Sequence, residues 1–84
     1  MGKLTLNDGT EFNGDAIFSD DLFLYVHGES MQTVFDSLID PNNTSEIVYT
    51  QVNGEDISFT GYTKLIAVRD EGNDLVTAVL RKGA

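Results

Sequence analysis

At 84 residues and without a cysteine, the chain has room for one domain (1–84) and excludes a disulfide staple, a thiolate metal site and a cysteine nucleophile. Fourteen acids against five bases leave a net charge of −9, which repels nucleic-acid phosphates and anionic membranes. No window approaches the ~18 uninterrupted apolar residues of a membrane span, and residues 1–8 hold no long apolar run, so neither a span nor a signal peptide is expected.

The first half of the chain reads as short strands. Residues 3–6 (Lys-Leu-Thr-Leu) alternate and then meet Asn7-Asp8-Gly9, where Asp-Gly is a strong hairpin pair because both positions tolerate positive φ. Thr10-Glu11-Phe12 returns, Asn13-Gly14-Asp15 offers a turn, a bulge or a bend, and residues 16–19 run on to a break at Asp20-Asp21. Residues 22–27 are apolar on both faces, which predicts a central strand covered on two sides.

Residues 30–39 then change period. Met31, Val34, Phe35, Leu38 and Ile39 recur at i, i+3, i+4, i+7 and i+8, one stripe of an α-helix. Ser30 is the expected N-cap, and Pro41 should stop the helix by restricting Asp40.

The second half returns to strands. Residues 46–52 are β-rich and Asn53-Gly54 is the strongest hairpin pair in the chain. Residues 55–60 pair back, Gly61 marks a bend, residues 62–69 form the next strand, 70–73 turn, and 74–81 close the sheet. Residues 82–84 are expected to fray.

The predicted order is β-β-β, helix, β-β-β-β. That is an α+β fold: a strongly bent antiparallel sheet or small open β-barrel of about seven strands, with one short helix (about 30–39) between strands three and four packed on its inner face. Leu24, Val26, Phe35, Leu38, Ile47, Ile66 and Val79 are expected to share one core. On that reading Phe35→Ala should cost ~3–5 kcal/mol.

Chemistry is harder to find. His27, the only histidine, ends an apolar strand, and no serine or cysteine can be tied to it as a nucleophile. The carboxylate pairs Asp20-Asp21, Glu55-Asp56 and Asp70-Glu71 all fall at turns, where acids serve as solvated turn formers. Residues 40–46 line up oxygen ligands but lack the glycine and the glutamate of a calcium loop, with Gln51 at the twelfth position. No glycine motif cradles phosphate, and the aromatics are not interleaved with lysine and arginine as in a stacking platform. The reading is therefore non-enzymatic, with no catalytic, cofactor-binding or metal residue, no cofactor and no small-molecule substrate.

Two resemblances add to this. Residues 4–26, with Leu4 to Gly14 followed by Asp20-Asp21-Leu22, look somewhat like the first motif of Sm-like domains, which implies an RNA-binding module as a third alternative. The sequence departs from that pattern in placing its helix between strands and in carrying Leu22 and Phe23 where the RNA-facing loop would be.

The second resemblance covers nearly the whole chain. Leu4 to Thr10, residues 31–41, Tyr62-Thr63-Lys64-Leu65 and Val76-Thr77-Ala78-Val79-Leu80 resemble small β-rich proteins encoded in the tail-gene region of prophages of Firmicutes. Many of those continue into a helical tail, which this sequence lacks. The resemblance implies a phage structural or tail-accessory protein, in the virion or the bacterial host cytoplasm, acting by protein–protein contact; it carries over no site residue.

The alternative of another class is an acidic nucleic-acid mimic that inhibits a host defence protein. Residues 1–60 hold eleven acids and one base, whereas residues 61–84 hold three acids and four bases. A homo-oligomer, or contact with other phage structural proteins, is expected through a sheet edge at residues 75–82, with Leu75, Thr77, Val79 and Arg81 as the candidate contact residues. The competing arrangement is a closed monomeric barrel in which that strand pairs with residues 4–6.

Overall fold

Eight elements occur in the predicted order. In the computed structural model, which describes residues 1–83, they are β1 (Gly2–Thr5), β2 (Glu11–Ser19), β3 (Asp21–His27), α1 (Met31–Leu38), β4 (Glu46–Thr50), β5 (Asp56–Thr60), β6 (Lys64–Gly72) and β7 (Leu75–Arg81). The strands form one antiparallel sheet in the order β5-β4-β1-β2-β3-β7-β6. A single eight-residue helix against seven strands makes the fold more β-rich than the α+β expectation. No helix is long and apolar enough to cross a membrane among the described residues.

The hairpin turns follow residue chemistry, with two shifts. Gly9 and Gly54 take φ of +90° and +89° in the β1–β2 and β4–β5 turns, a region where a Cβ is strained. β4 stops at Thr50, because Gln51 and Val52 already belong to the turn that Asn53-Gly54 makes. The turn expected at 70–73 slides along the chain: β6 continues to Gly72, and Asn73 and Asp74 take the positive φ values.

Residues 13–15 neither turn nor break the strand. β2 runs unbroken for nine residues; 11–14 pair with β1 and 13–19 pair with β3. β2 thus joins two half-sheets, and Gly14 sits at the junction, opposite Gly2 on one side and Val26 on the other. A Cβ on Gly14 would run into the Tyr25 carbonyl, so backbones approach there as no other residue would allow.

The sheet must also curl. Residues 61–63 join β5 to β6, which are its two opposite edges. Four Cα steps span at most about 14 Å, so the edges come together at that end. The junction is fastened by Gly61 N–H donating to the Ser45 carbonyl at 2.9 Å and by Gly83 N–H donating to the Gly61 carbonyl at 2.9 Å. Tyr62 packs edge-on against Phe18 and Phe59, with the Lys82 ammonium 5.2 Å from its ring centre. Lys82 and Gly83 are therefore held rather than frayed; Ala84 lies outside the described residues. β5 and β6 do not pair with each other, so the sheet stays open.

Its concave face encloses one core: Leu4, Leu6, Phe12, Leu22, Leu24, Val26, Ile47, Val76, Ala78 and Leu80, closed by Val34 and Leu38 of α1. Four expected core members belong there, namely Leu24, Val26, Leu38 and Ile47. Three do not. Val76, Ala78 and Leu80 point inward, so the period of two sends Val79 to the other face. A bulge between Leu65 and Ala67 absorbs Ile66, letting Leu65 and Val68 pack against the core in its place. Phe35 lies to one side of the helical face that meets the core and stays 40% exposed. β3 is central as expected but covered on one side only: Phe23, Tyr25 and His27 are half-buried on the convex face.

The candidate edge is also relocated. β7 lies between β3 and β6, its backbone paired on both sides, so residues 75–82 do not form an edge. Nor does β7 reach residues 4–6, since β1 is flanked by β2 and β4.

Candidate interaction groove

α1 is built by its own sequence. Ser30 is extended, its hydroxyl accepts from Thr33 N–H at 3.1 Å, and Ile39 N–H donates to the Phe35 carbonyl at 2.9 Å to finish the last turn. At about 100° per residue, Val34 and Leu38 fall on one side of the apolar arc and Met31, Phe35 and Ile39 on the other. The first pair is buried in the core. The second set faces a groove of about 400 Å³ between α1 and β6, whose far wall is Leu65, Ile66, Ala67 and Val68, with Gln32 as the one polar liner.

Four large apolar side chains there remain open to water: Met31 at 45%, Phe35 at 40%, Ile39 at 49% and Ile66 at 45%. β6 presents the groove with a sheet edge, blunted by its two bulges, at Leu65/Ala67 and Asp70/Gly72. Such a patch is chemically suited to bury against another apolar surface and offers no group for acid–base or nucleophilic work.

Of the sequence-predicted contact residues, none lies in this groove. Thr77 and Val79 line a cleft of about 260 Å³ on the convex face with Phe23, Tyr25, Arg69 and Glu71. Leu75 belongs to another open cleft, of about 450 Å³, beside His27, Tyr25, Asp15 and Tyr49. Arg81 is engaged in a fork with Asp21, Nε to Oδ1 and Nη2 to Oδ2 both at 3.0 Å. Those hydrogen bonds, and the attraction behind them, hold the Asp21 carboxyl below its ordinary range and push the Arg81 guanidinium up.

Several other polar groups serve the fold. Tyr49 donates its hydroxyl to Asp15 Oδ1 at 2.7 Å, and Gly2 N–H donates to the same oxygen at 3.1 Å, tying β4, β1 and β2 together. The Tyr49 hydrogen bond is the main reason the Asp15 carboxyl sits below its usual value, and it raises the Tyr49 phenol.

Loop 40–45, which lacks the glycine and glutamate of a calcium loop, docks on the β1–β2 turn. Asn7 N–H donates to the Asn43 carbonyl at 3.0 Å, Asp8 N–H donates to Asn43 Oδ1 at 2.9 Å, and Asn43 Nδ2 donates to the Ser37 carbonyl at 2.8 Å. Among the described residues, no three of His, Asp and Glu cluster as metal ligands would. The acids expected at turns fall largely in strands, Asp21 and Asp56 opening β3 and β5 and Asp70 and Glu71 lying in β6, and they are similarly occupied: Asp56 accepts from the Thr50 hydroxyl, Asp70 from Gly72 N–H and Glu71 from the Thr77 hydroxyl.

Sequence reasoning found the helix and its stripe but missed that half the stripe stays open. Nothing in residues 30–39 themselves separates Val34 and Leu38 from Met31, Phe35 and Ile39, because all five share one apolar stripe. Comparison with known protein families, with curated proteins and with solved structures finds no match.

Proposed function

We propose that the chain is a non-enzymatic phage structural or tail-accessory protein that works by contact with other proteins, in the virion or in the bacterial host cytoplasm during assembly. The observation that supports the contact role is the groove beside α1, where four large apolar side chains stay exposed around one opening next to a sheet edge. The tail assignment rests on the motif resemblance of residues 4–10, 31–41, 62–65 and 76–80 described above.

The test is to purify tail particles from the phage or induced prophage that encodes the chain, and to probe them and their assembly intermediates for it. Its presence, together with its loss in a Phe35→Asp/Ile66→Asp variant that melts like the wild type, is the expected result. Absence of the wild-type chain from every particle and intermediate overturns the tail reading.

A further inference from the structure

We infer that the free edge of β5 takes up an extended segment of a partner protein as an added strand, one in which basic and apolar residues alternate. The inference deepens the reading of the chain as a contact protein and rests on it, at a surface other than the α1–β6 groove.

The edge is open because of where the β4–β5 ladder points. Gln51 N–H donates to the Glu55 carbonyl at 2.8 Å, and Gly61 N–H donates to the Ser45 carbonyl at 2.9 Å. Tyr49 opposite Ile57 and Ile47 opposite Phe59 fall in step between them, so residues 55, 57, 59 and 61 turn towards β4. Asp56, Ser58 and Thr60 turn their backbone groups the other way. None of those three N–H and three C=O groups has a partner among the described residues. Asp56, Ile57, Ser58 and Thr60 are exposed, so water reaches the row. The opposite edge of the sheet is different: β6 is interrupted by two bulges, whereas β5 has no bulge, proline or lysine to blunt it. Donors and acceptors alternating at this spacing fit an extended backbone, and five antiparallel residues satisfy all six groups.

The side chains say which kind of strand it is. Asp56, Ser58 and Thr60 share the convex face, with Glu46 opposite Thr60 on β4 and Glu55 just before β5; these three acids are exposed. Asp56 accepts from the Thr50 hydroxyl through Oδ1, and its Oδ2 has no partner among the described residues. Of the bases, Lys3 lies two strands away and 3.5 Å from Glu11, while Lys64 and Lys82 lie past the Thr60 end. A strand added here therefore meets acids along its convex face, and bases on it are attracted. On the concave face it meets Ile57, 42% exposed, and Phe59, which call for apolar neighbours. A second copy fits less well, because its β5 carries no base and each chain has a net charge of −9.

Amide NMR spectra of the full chain, titrated with the peptide Lys-Val-Lys-Val-Lys capped at both ends, test this. The expected dissociation constant is about 0.1–1 mM, as suits one short strand. The amide signals of Asp56, Ser58 and Thr60 should move downfield, and at a tenfold excess over that constant their hydrogen exchange should slow by about tenfold. Those of Ile57 and Phe59, already bonded to β4, should move least. Ser58→Pro should weaken binding by at least about tenfold, since it removes one edge hydrogen bond and crowds its neighbour. Its lost N–H faces away from β4, so a thermal melt should show the variant folded.

Asp56→Lys, which leaves the backbone row intact, should weaken binding by about fivefold and guards against a misfolded Ser58→Pro. The peptide Glu-Val-Glu-Val-Glu should bind at least about tenfold more weakly. No binding at about 5 mM overturns the inference, as does equal binding of the glutamate peptide. So does binding that leaves the Asp56, Ser58 and Thr60 amides unmoved, or that a folded Ser58→Pro variant retains in full. Protection of those amides in the chain alone, as it self-associates, would give the edge to a second copy and overturn it too. The tail reading stands or falls separately, on the particles.

Discussion

Leu38 and Ile39 are neighbours of equal size on the same helix, and they live in different worlds. Leu38 is wholly buried, whereas Ile39 is 49% exposed at the mouth of the groove. The same division runs along α1, with Val34 and Leu38 inside and Met31, Phe35 and Ile39 outside. One amphipathic stripe is therefore divided: its inner side closes the core, and its outer side stays exposed along the groove. Hydrophobicity alone does not separate these roles. The angle at which the helix meets the sheet does.

The largest expected effect comes from cutting the inner half. Leu38→Ala should lower the unfolding free energy by about 2–5 kcal/mol, because a cavity opens among atoms that cannot relax into it. Ile39→Ala next to it should cost about 1 kcal/mol, since much of that side chain is already in water. Phe35→Ala belongs with Ile39, at about 1–2 kcal/mol rather than the ~3–5 of a buried ring. Chemical denaturation of the three variants checks the ranking; equal losses at Leu38 and Ile39 would erase the distinction between the two faces.

A second cut tests whether the sheet needs its close approach at the junction of the half-sheets. Gly14→Ala should cost about 1–3 kcal/mol, because the new methyl meets the Tyr25 carbonyl in backbone rather than a side chain that can swing away. Measured beside Ile39→Ala, it shows that a smaller atomic change on the sheet can outweigh a larger one at the groove. Urea melts that leave Gly14→Ala as stable as the wild type would mean the junction relaxes freely.

Next comes the Asp15–Tyr49 hydrogen bond, which ties β2 to β4. Asp15→Asn or Tyr49→Phe should cost about 1 kcal/mol near neutral pH. The sign with pH follows from the lowered carboxyl of Asp15: folding favours its charged form. The stabilisation is present above the ordinary Asp value of 3.8 and is lost as pH falls through the lower, folded-state value. Thermal melts taken from about pH 5 down to about pH 2.5 should steepen in the wild type and flatten in Asp15→Asn. Identical acid limbs would remove Asp15 from the account.

The smallest effect is expected at Thr44, which is wholly buried and whose hydroxyl has no partner among the described residues. Thr44→Val keeps the shape and removes an unsatisfied oxygen, so stability should rise by up to about 1 kcal/mol. A loss of stability, read from the same denaturation curves, would mean that the hydroxyl finds a partner after all. Either result leaves the groove untouched, which makes this variant a control for the groove variants.

Local chemistry settled much of this molecule in advance. Asp8-Gly9 and Asn53-Gly54 make the hairpins they announce, Ser30 caps the helix, and the eight elements occur in the order that the periods of two and 3.6 demand. These features are legible because each depends on residues within a few positions of one another.

What depended on distant partners was not legible. In β7 both faces are apolar, so alternation could not say that Val76, Ala78 and Leu80 point inward and Val79 outward. Nothing near Ile66 announces the bulge that turns it out, and nothing in residues 75–82 says that β6 will cover their edge. The groove itself arises where a helix from the middle of the chain meets a strand some 30 residues later. Strand order, bulges and the helix's angle are chosen by packing across the whole sheet, so only the tertiary structure could decide which half of an apolar stripe is core and which half is surface.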